Sequence, residues 1–138
     1  MVKSKVLDKK QQEARLHTAQ KAVKGEMKVN KNGHPETYPA FRVSREGLFI
    51  TAFFGSGNGD HFTDGVSFNI LHESLGKTLG PLDAYVAFHK KGELFSWGEG
   101  QLLVNEDSTG KLYFGTFEAI IENDLVEFNN GIFSITYL

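Results

Sequence analysis

Lys111-Leu112-Tyr113-Phe114-Gly115-Thr116-Phe117-Glu118-Ala119-Ile120-Ile121-Glu122-Asn123-Asp124-Leu125-Val126-Glu127-Phe128-Asn129-Asn130-Gly131-Ile132-Phe133-Ser134-Ile135-Thr136-Tyr137 decides the fold class. Aromatic and β-branched residues dominate it, and these fit a pleated, half-buried surface. Lys111–Ile121 and Gly131–Tyr137 read as long strands, with Leu125–Phe128 a short one between them. Ser108-Thr109-Gly110, Asn123-Asp124 and Asn129-Asn130-Gly131 supply the turns.

The same grammar extends upstream. Val66, Phe68 and Ile70 alternate with Ser67 and Asn69, and Leu82, Ala84, Val86 and Phe88 alternate with Asp83 and His89. Each set reads as a half-buried strand. Lys91-Gly92 turns the chain before Leu94–Trp97. Leu48–Phe54 is apolar on both faces, which predicts a strand buried on two sides. Gly55–Asp60 reads as a loop, and so does Leu71–Pro81. Asn32-Gly33 is a hairpin signal, and Pro35 and Pro39 keep the chain around them extended. About eight strands joined by Gly/Asn/Asp turns predict an antiparallel sandwich or barrel, and the pattern leaves both open.

The N-terminus reads differently. Asp8-Lys9-Lys10-Gln11 has the form of a capping box, good helix formers run to Lys24, and Gly25 suits a C-terminal cap. The expected plan is a basic N-terminal α-helix in residues 1–25, then a single β domain over 26–138. Leu16, Ala19 and Val23 form a thin apolar stripe that needs a partner surface, in cis or on a second copy. Charge sharpens the division. Residues 1–31 hold nine Lys/Arg against three acids, and residues 32–138 hold six against fourteen. A basic arm beside an acidic body points to self-association or a protein partner.

With 138 residues, 40% hydrophobic and twelve of them Phe, the chain has the profile of a soluble globular domain. It has no cysteine, so disulfides, thiolate metal sites and a cysteine nucleophile are excluded. No apolar run is long enough for a membrane-spanning helix. The expected location is cytoplasmic, or exported and surface-associated if a signal has been removed.

Gly115-Thr116-Phe117-Glu118-Ala119 followed by Val126-Glu127-Phe128-Asn129-Asn130-Gly131-Ile132-Phe133-Ser134-Ile135-Thr136-Tyr137 resembles the end of small β-sandwich domains of unknown function in bacterial surface lipoproteins. Val29-Asn30-Lys31-Asn32-Gly33 and Gly47-Leu48-Phe49-Ile50-Thr51-Ala52 stand in the matching order. The resemblance implies a sandwich and contributes no catalytic residues. The chain departs from that pattern in lacking a lipidated Cys and a signal peptide and in adding the basic segment.

Few residues offer chemistry. Asn58, Asp60 and Asp64 in a glycine-rich stretch partly match a calcium repeat, but that repeat binds in tandem and only one copy is present. The histidines, His17, His34, His61, His72 and His89, have no metal-pair spacing. Glu93, Glu99 and Glu106 would act as acid and base only if two faced one cleft. No serine elbow and no phosphate loop is present. The basic residues are scattered without interleaved aromatics, so nucleic acid is not expected. Trp97, with Phe95, is a candidate partner or sugar contact if its ring is exposed. No cofactor is expected.

The leading expectation is a non-enzymatic binding or protein-interaction module. The alternative is a lipocalin-like or calycin-like carrier of a small apolar ligand within a closed barrel. A hydrolase is third, and would require His61, Asp60 and a Glu to meet. Whether Leu48–Phe54 faces a void or packed side chains separates the first two.

Overall fold

A computed structural model describes residues 20–21, 24–59, 61–122 and 126–136. Ten strands follow in chain order: β1 (Gln20–Lys21), β2 (Lys24–Lys31), β3 (His34–Glu46), β4 (Phe49–Asn58), β5 (His61–Leu71), β6 (Thr78–Leu79), β7 (Tyr85–Lys90), β8 (Glu93–Glu106), β9 (Leu112–Ile121) and β10 (Glu127–Thr136). Eight of them form a closed antiparallel barrel in the order β2-β3-β4-β5-β7-β8-β9-β10, and β10 returns to pair with β2. β1 and β6 are short additions along β3 and β8. The open choice between sandwich and barrel is resolved as a barrel. No described helix is long and apolar enough to cross a membrane.

Turn chemistry fixes the hairpins. Asn32-Gly33 and Lys91-Gly92 both carry positive φ at the two central residues, as a type I′ turn requires. Pro35 and Pro39 lie in the half of β3 that pairs with β2 alone, because pairing with β4 begins at Ala40. Their missing N–H groups therefore cost no bond to β4.

The helix expected over Asp8–Lys24 is not supported. Gln20–Lys21 is paired with Val43 and Arg42 of β3, and Lys24 opens β2 opposite Thr136. Gly25 caps nothing. It lies inside β2 at φ +132, and a Cβ there would come within 2.2 Å of the Ser134 carbonyl oxygen. Helix propensity is a weak preference, and two waiting strand edges overrode it. Residues 8–19 lie outside the described residues, as do Leu16, Ala19 and Val23 of the expected stripe. A 3-10 turn, His72–Ser74, lies within the segment read as a loop.

Inward-facing residues fill the barrel. Phe54, Phe68 and Phe133 form one group, with ring centroids 5.3 to 6.2 Å apart. Phe88, Phe95, Phe117 and Phe128 form a second at 5.6 to 6.4 Å. Met27, Val104, Tyr113 and Ile135 are buried in the same core. An eight-stranded barrel is just wide enough for side chains to fill, and large aromatic rings fill it.

Candidate functional site

The candidates read from the sequence fall in different places. Trp97 faces the core at 6% exposure, and its indole N–H donates to the Ala84 carbonyl at 3.2 Å. Phe95 is half-buried and packs on that core. Neither ring is a free surface contact. Asp60 lies outside the described residues. Asp64 is exposed on β5, where its carboxylate accepts the Lys91 N–H at 3.1 Å and so anchors the β7–β8 turn. That bond, with one from the Thr63 hydroxyl, holds the Asp64 carboxyl below the usual carboxylate range. Gly55–Asn58, read as loop, belongs to β4. Among the described residues no three His, Asp or Glu side chains gather in a way that could hold a metal. Glu106 accepts from the Tyr113 hydroxyl at 2.8 Å, with His72 at 3.7 Å and Arg45 at 3.9 Å. It is a junction at one end of the barrel.

Two outer faces carry unusual chemistry. On the first, formed by β4, β5 and β7, polar side chains point away from the barrel axis yet are buried: Thr51, Ser67, Asn69 and His89. Alternation puts them there, since Ala52, Phe68 and Val86 occupy the inward register. Ser67 Oγ and His89 Nε2 are 2.8 Å apart. Burial pushes the His89 ring down to about 4, against the opposing pull of Asp64, so the imidazole is neutral near pH 7. Phe53 and Phe62 pack beside it, with Phe62 edge-on to the imidazole at 4.7 Å.

A serine beside a neutral histidine has the composition of an activated nucleophile. Here Ser67 is fully buried in mid-strand, and the Asp64 carboxylate is held by Lys91 and Thr63. The pair is placed as a packed polar contact. Sequence reading assigned Ser67, Asn69 and His89 to the solvent side of half-buried strands. The available signal was Leu48–Phe54, apolar on both faces, which marks this wall as buried on both sides.

Asn69 Nδ2 donates to Thr51 Oγ1 at 2.7 Å, and Asn69 Oδ1 is buried without a hydrogen-bond partner. Thr51→Val will leave Nδ2 unpaired as well, costing about 1–3 kcal/mol. Adding Asn69→Leu removes both orphaned groups and will restore most of that loss. Urea unfolding of the two variants checks this; a double variant no more stable than the single one contradicts it.

The second face belongs to β8, β9 and β10. Register shifts occur at Trp97/Glu99 in β8 and at Phe128/Gly131 in β10. Gly100 and Gly131 permit them, since a Cβ would meet the Glu118 carbonyl oxygen at 2.1 Å and the Phe117 ring at 2.5 Å respectively. Two adjoining grooves of about 300 and 400 Å³ follow the irregularity and share Gln101 and Glu118. Their lining includes Glu99, Glu118 and Glu127 and no Lys or Arg. Ile132, 56% exposed, lines one groove, and Phe114, 41% exposed, stands nearby on β9.

No protein-family model, curated protein or solved structure matches the chain.

Proposed function

We propose that the protein is a non-catalytic binding module whose β8–β9–β10 face takes a basic, amphipathic segment of a protein partner. The observation that carries this reading is exposed Ile132 in a groove with Glu118, adjoining a second groove lined by Glu99, Glu118 and Glu127, with Lys28 across from Ile132 on β2 as the one neighbouring cation among the described groove-lining residues. An apolar anchor in a groove supplies affinity, and complementary charge at its rim supplies orientation and on-rate. The buried Ser67–His89 pair favours a module without catalysis, because substrate has no path to either atom in this arrangement.

The interior bears on the carrier alternative. Ile50, Ala52 and Phe54 of β4 face the core in which Phe68 and Phe133 are packed. Ligand carriers of this strand number keep that space open. The aromatic filling therefore supports an outer binding surface.

Calorimetric titration with two synthetic peptides, one alternating Lys and Leu and the other Glu and Leu, tests the reading. The Lys peptide will bind, and binding will weaken with salt. Glu118→Lys and Ile132→Asp will each reduce its affinity about tenfold. Equal binding of both peptides, or indifference to both substitutions, overturns the assignment. One-to-one uptake of an apolar fluorescent dye, unchanged by Glu118→Lys, would favour the carrier instead.

A further inference from the structure

Ile132 stands out of its sheet between two grooves. One, of about 290 Å³, lies toward β2 and is lined by Glu26, Lys28 and Ser134. The other, of about 400 Å³, lies toward β9 and is lined by Thr116, Glu118 and Gly131. Lys28 is the neighbour of Ile132 on β2, and Thr116 is its neighbour on β9. The patch therefore holds a projecting apolar side chain and, on either side of it, recesses that such a side chain fits.

Charge follows the same symmetry. On β9, Glu118 lies two residues beyond Thr116, and Glu122 is exposed four residues beyond Glu118, past the end of the strand. On β2, Lys28 is opposite Ile132, and Lys24, four residues away toward the other end of the barrel, is opposite Thr136. Consider a half-turn about an axis normal to the sheet, passing through β10 beside Ile132. It exchanges β9 for β2 and reverses the strand direction. Glu118 of one copy then lies over Lys28 of the other, Glu122 over Lys24, and Ile132 beside Ile132. Glu26 and Glu127 fall over Ile120 and Ser134, so these carboxylates do not meet one another. Lys28 already has Glu26 at 3.5 Å in an exposed contact. An ammonium has three donors, so it can take a second carboxylate as well.

The area suits a weak pair. Strands roughly 4.8 Å apart, with outward residues every 6.8 Å or so along them, give β9, β10 and β2 a footprint of roughly 500 Å². Two copies would bury about 1,000 Å², the lower edge of specific interfaces.

We propose that this face pairs with the same face of a second copy in a two-fold dimer centred on Ile132. The dimer rests on the reading that the face takes a basic, amphipathic segment, and it identifies that segment as β2 with Ile132 of another copy. Lys24 and Lys28 supply the positive charge, and two-fold closure stops the assembly at two chains.

Light-scattering mass of the full chain, followed upward through micromolar concentration, will rise from one chain toward two and no further. Glu118→Lys and Lys28→Glu, both at exposed positions, will each weaken the dimer at least about tenfold, since each sets like charges face to face at two symmetry-related points. Mixed together, the two variants will associate more tightly than either does alone, because each supplies the charge that the other has lost. A parent chain that stays monomeric overturns the dimer. So does a dimer indifferent to both substitutions, or a mixture no tighter than its components. The Lys/Leu peptide separates that failure from failure of the underlying reading. A monomer that binds the peptide overturns the dimer and keeps the face for a foreign partner, whereas a monomer that does not bind it loses both.

Discussion

Between pH 6.5 and pH 4 the barrel is expected to lose about 3 kcal/mol of stability through His89 alone. The unfolded chain takes up a proton on this ring near 6.5, whereas burial delays uptake in the folded state to about 4. Between those values the unfolded state holds more protons, so stability falls as the pH falls. Above pH 6.5 neither state is protonated, and below pH 4 both are, so the loss is confined to this window. Because His89 is 6% exposed, solvent screens little of the penalty.

Asp64 and Asp107, both held below the usual carboxylate range by hydrogen bonds, lose their contributions only below the ordinary Asp value. Their effect is therefore separable from that of His89. His89→Gln removes the titration and preserves a polar partner for Ser67. Urea midpoints at pH 7, 6, 5 and 4 will decline steeply for the parent chain and stay nearly level for the variant down to about pH 4. Parallel declines would show that His89 is not the proton acceptor.

Phe68→Ala is expected to cost about 3–5 kcal/mol. Phe68 is 1% exposed, and its ring meets Phe54 at 6.2 Å and Phe133 at 5.3 Å. Its loss removes burial and leaves a void that strand ladders on every side prevent from collapsing. A domain of this size has about 5–15 kcal/mol to lose, so the variant will be visibly destabilised. The void is apolar and will stay dry, so a small aromatic guest will raise the variant's midpoint and not the parent's. Stabilisation of the parent by benzene would reveal interior space already open to ligand and revive the carrier reading. The outcome thus bears on function as well as packing.

The last third shows how much of this fold is written locally. Alternation in 112–121 and 131–136 gives β9 and most of β10, and Asn32-Gly33 gives its hairpin. Yet of Leu125–Phe128 and Gly131–Tyr137, read as two strands, the portions Glu127–Phe128 and Gly131–Thr136 belong to the single strand β10. Asn129-Asn130-Gly131 is a bulge within it, with Asn130 at φ +55. A turn and a bulge use the same residues, because both need positive φ at a small or polar side chain. The candidate sites were less legible. Trp97 alternates with Ser96, which shows that the two point opposite ways without showing which way is inside.

Sequence alone determined the β class, most strand positions and the absence of cysteine chemistry, all consequences of local periodicity and composition. Tertiary structure decided three things. Pairing of β10 with β2 closes the barrel, and neither strand's own pattern names a partner so distant along the chain. Strand edges claimed Gln20–Lys21 and Lys24 from the expected helix, because backbone pairing outweighs a few tenths of a kcal/mol of propensity per residue. Ser67 and His89, on the side of β5 and β7 that alternation leaves away from the barrel axis, are buried rather than solvent-facing. Period-2 alternation separates two faces of a strand, and only assembly determines how many of them meet water.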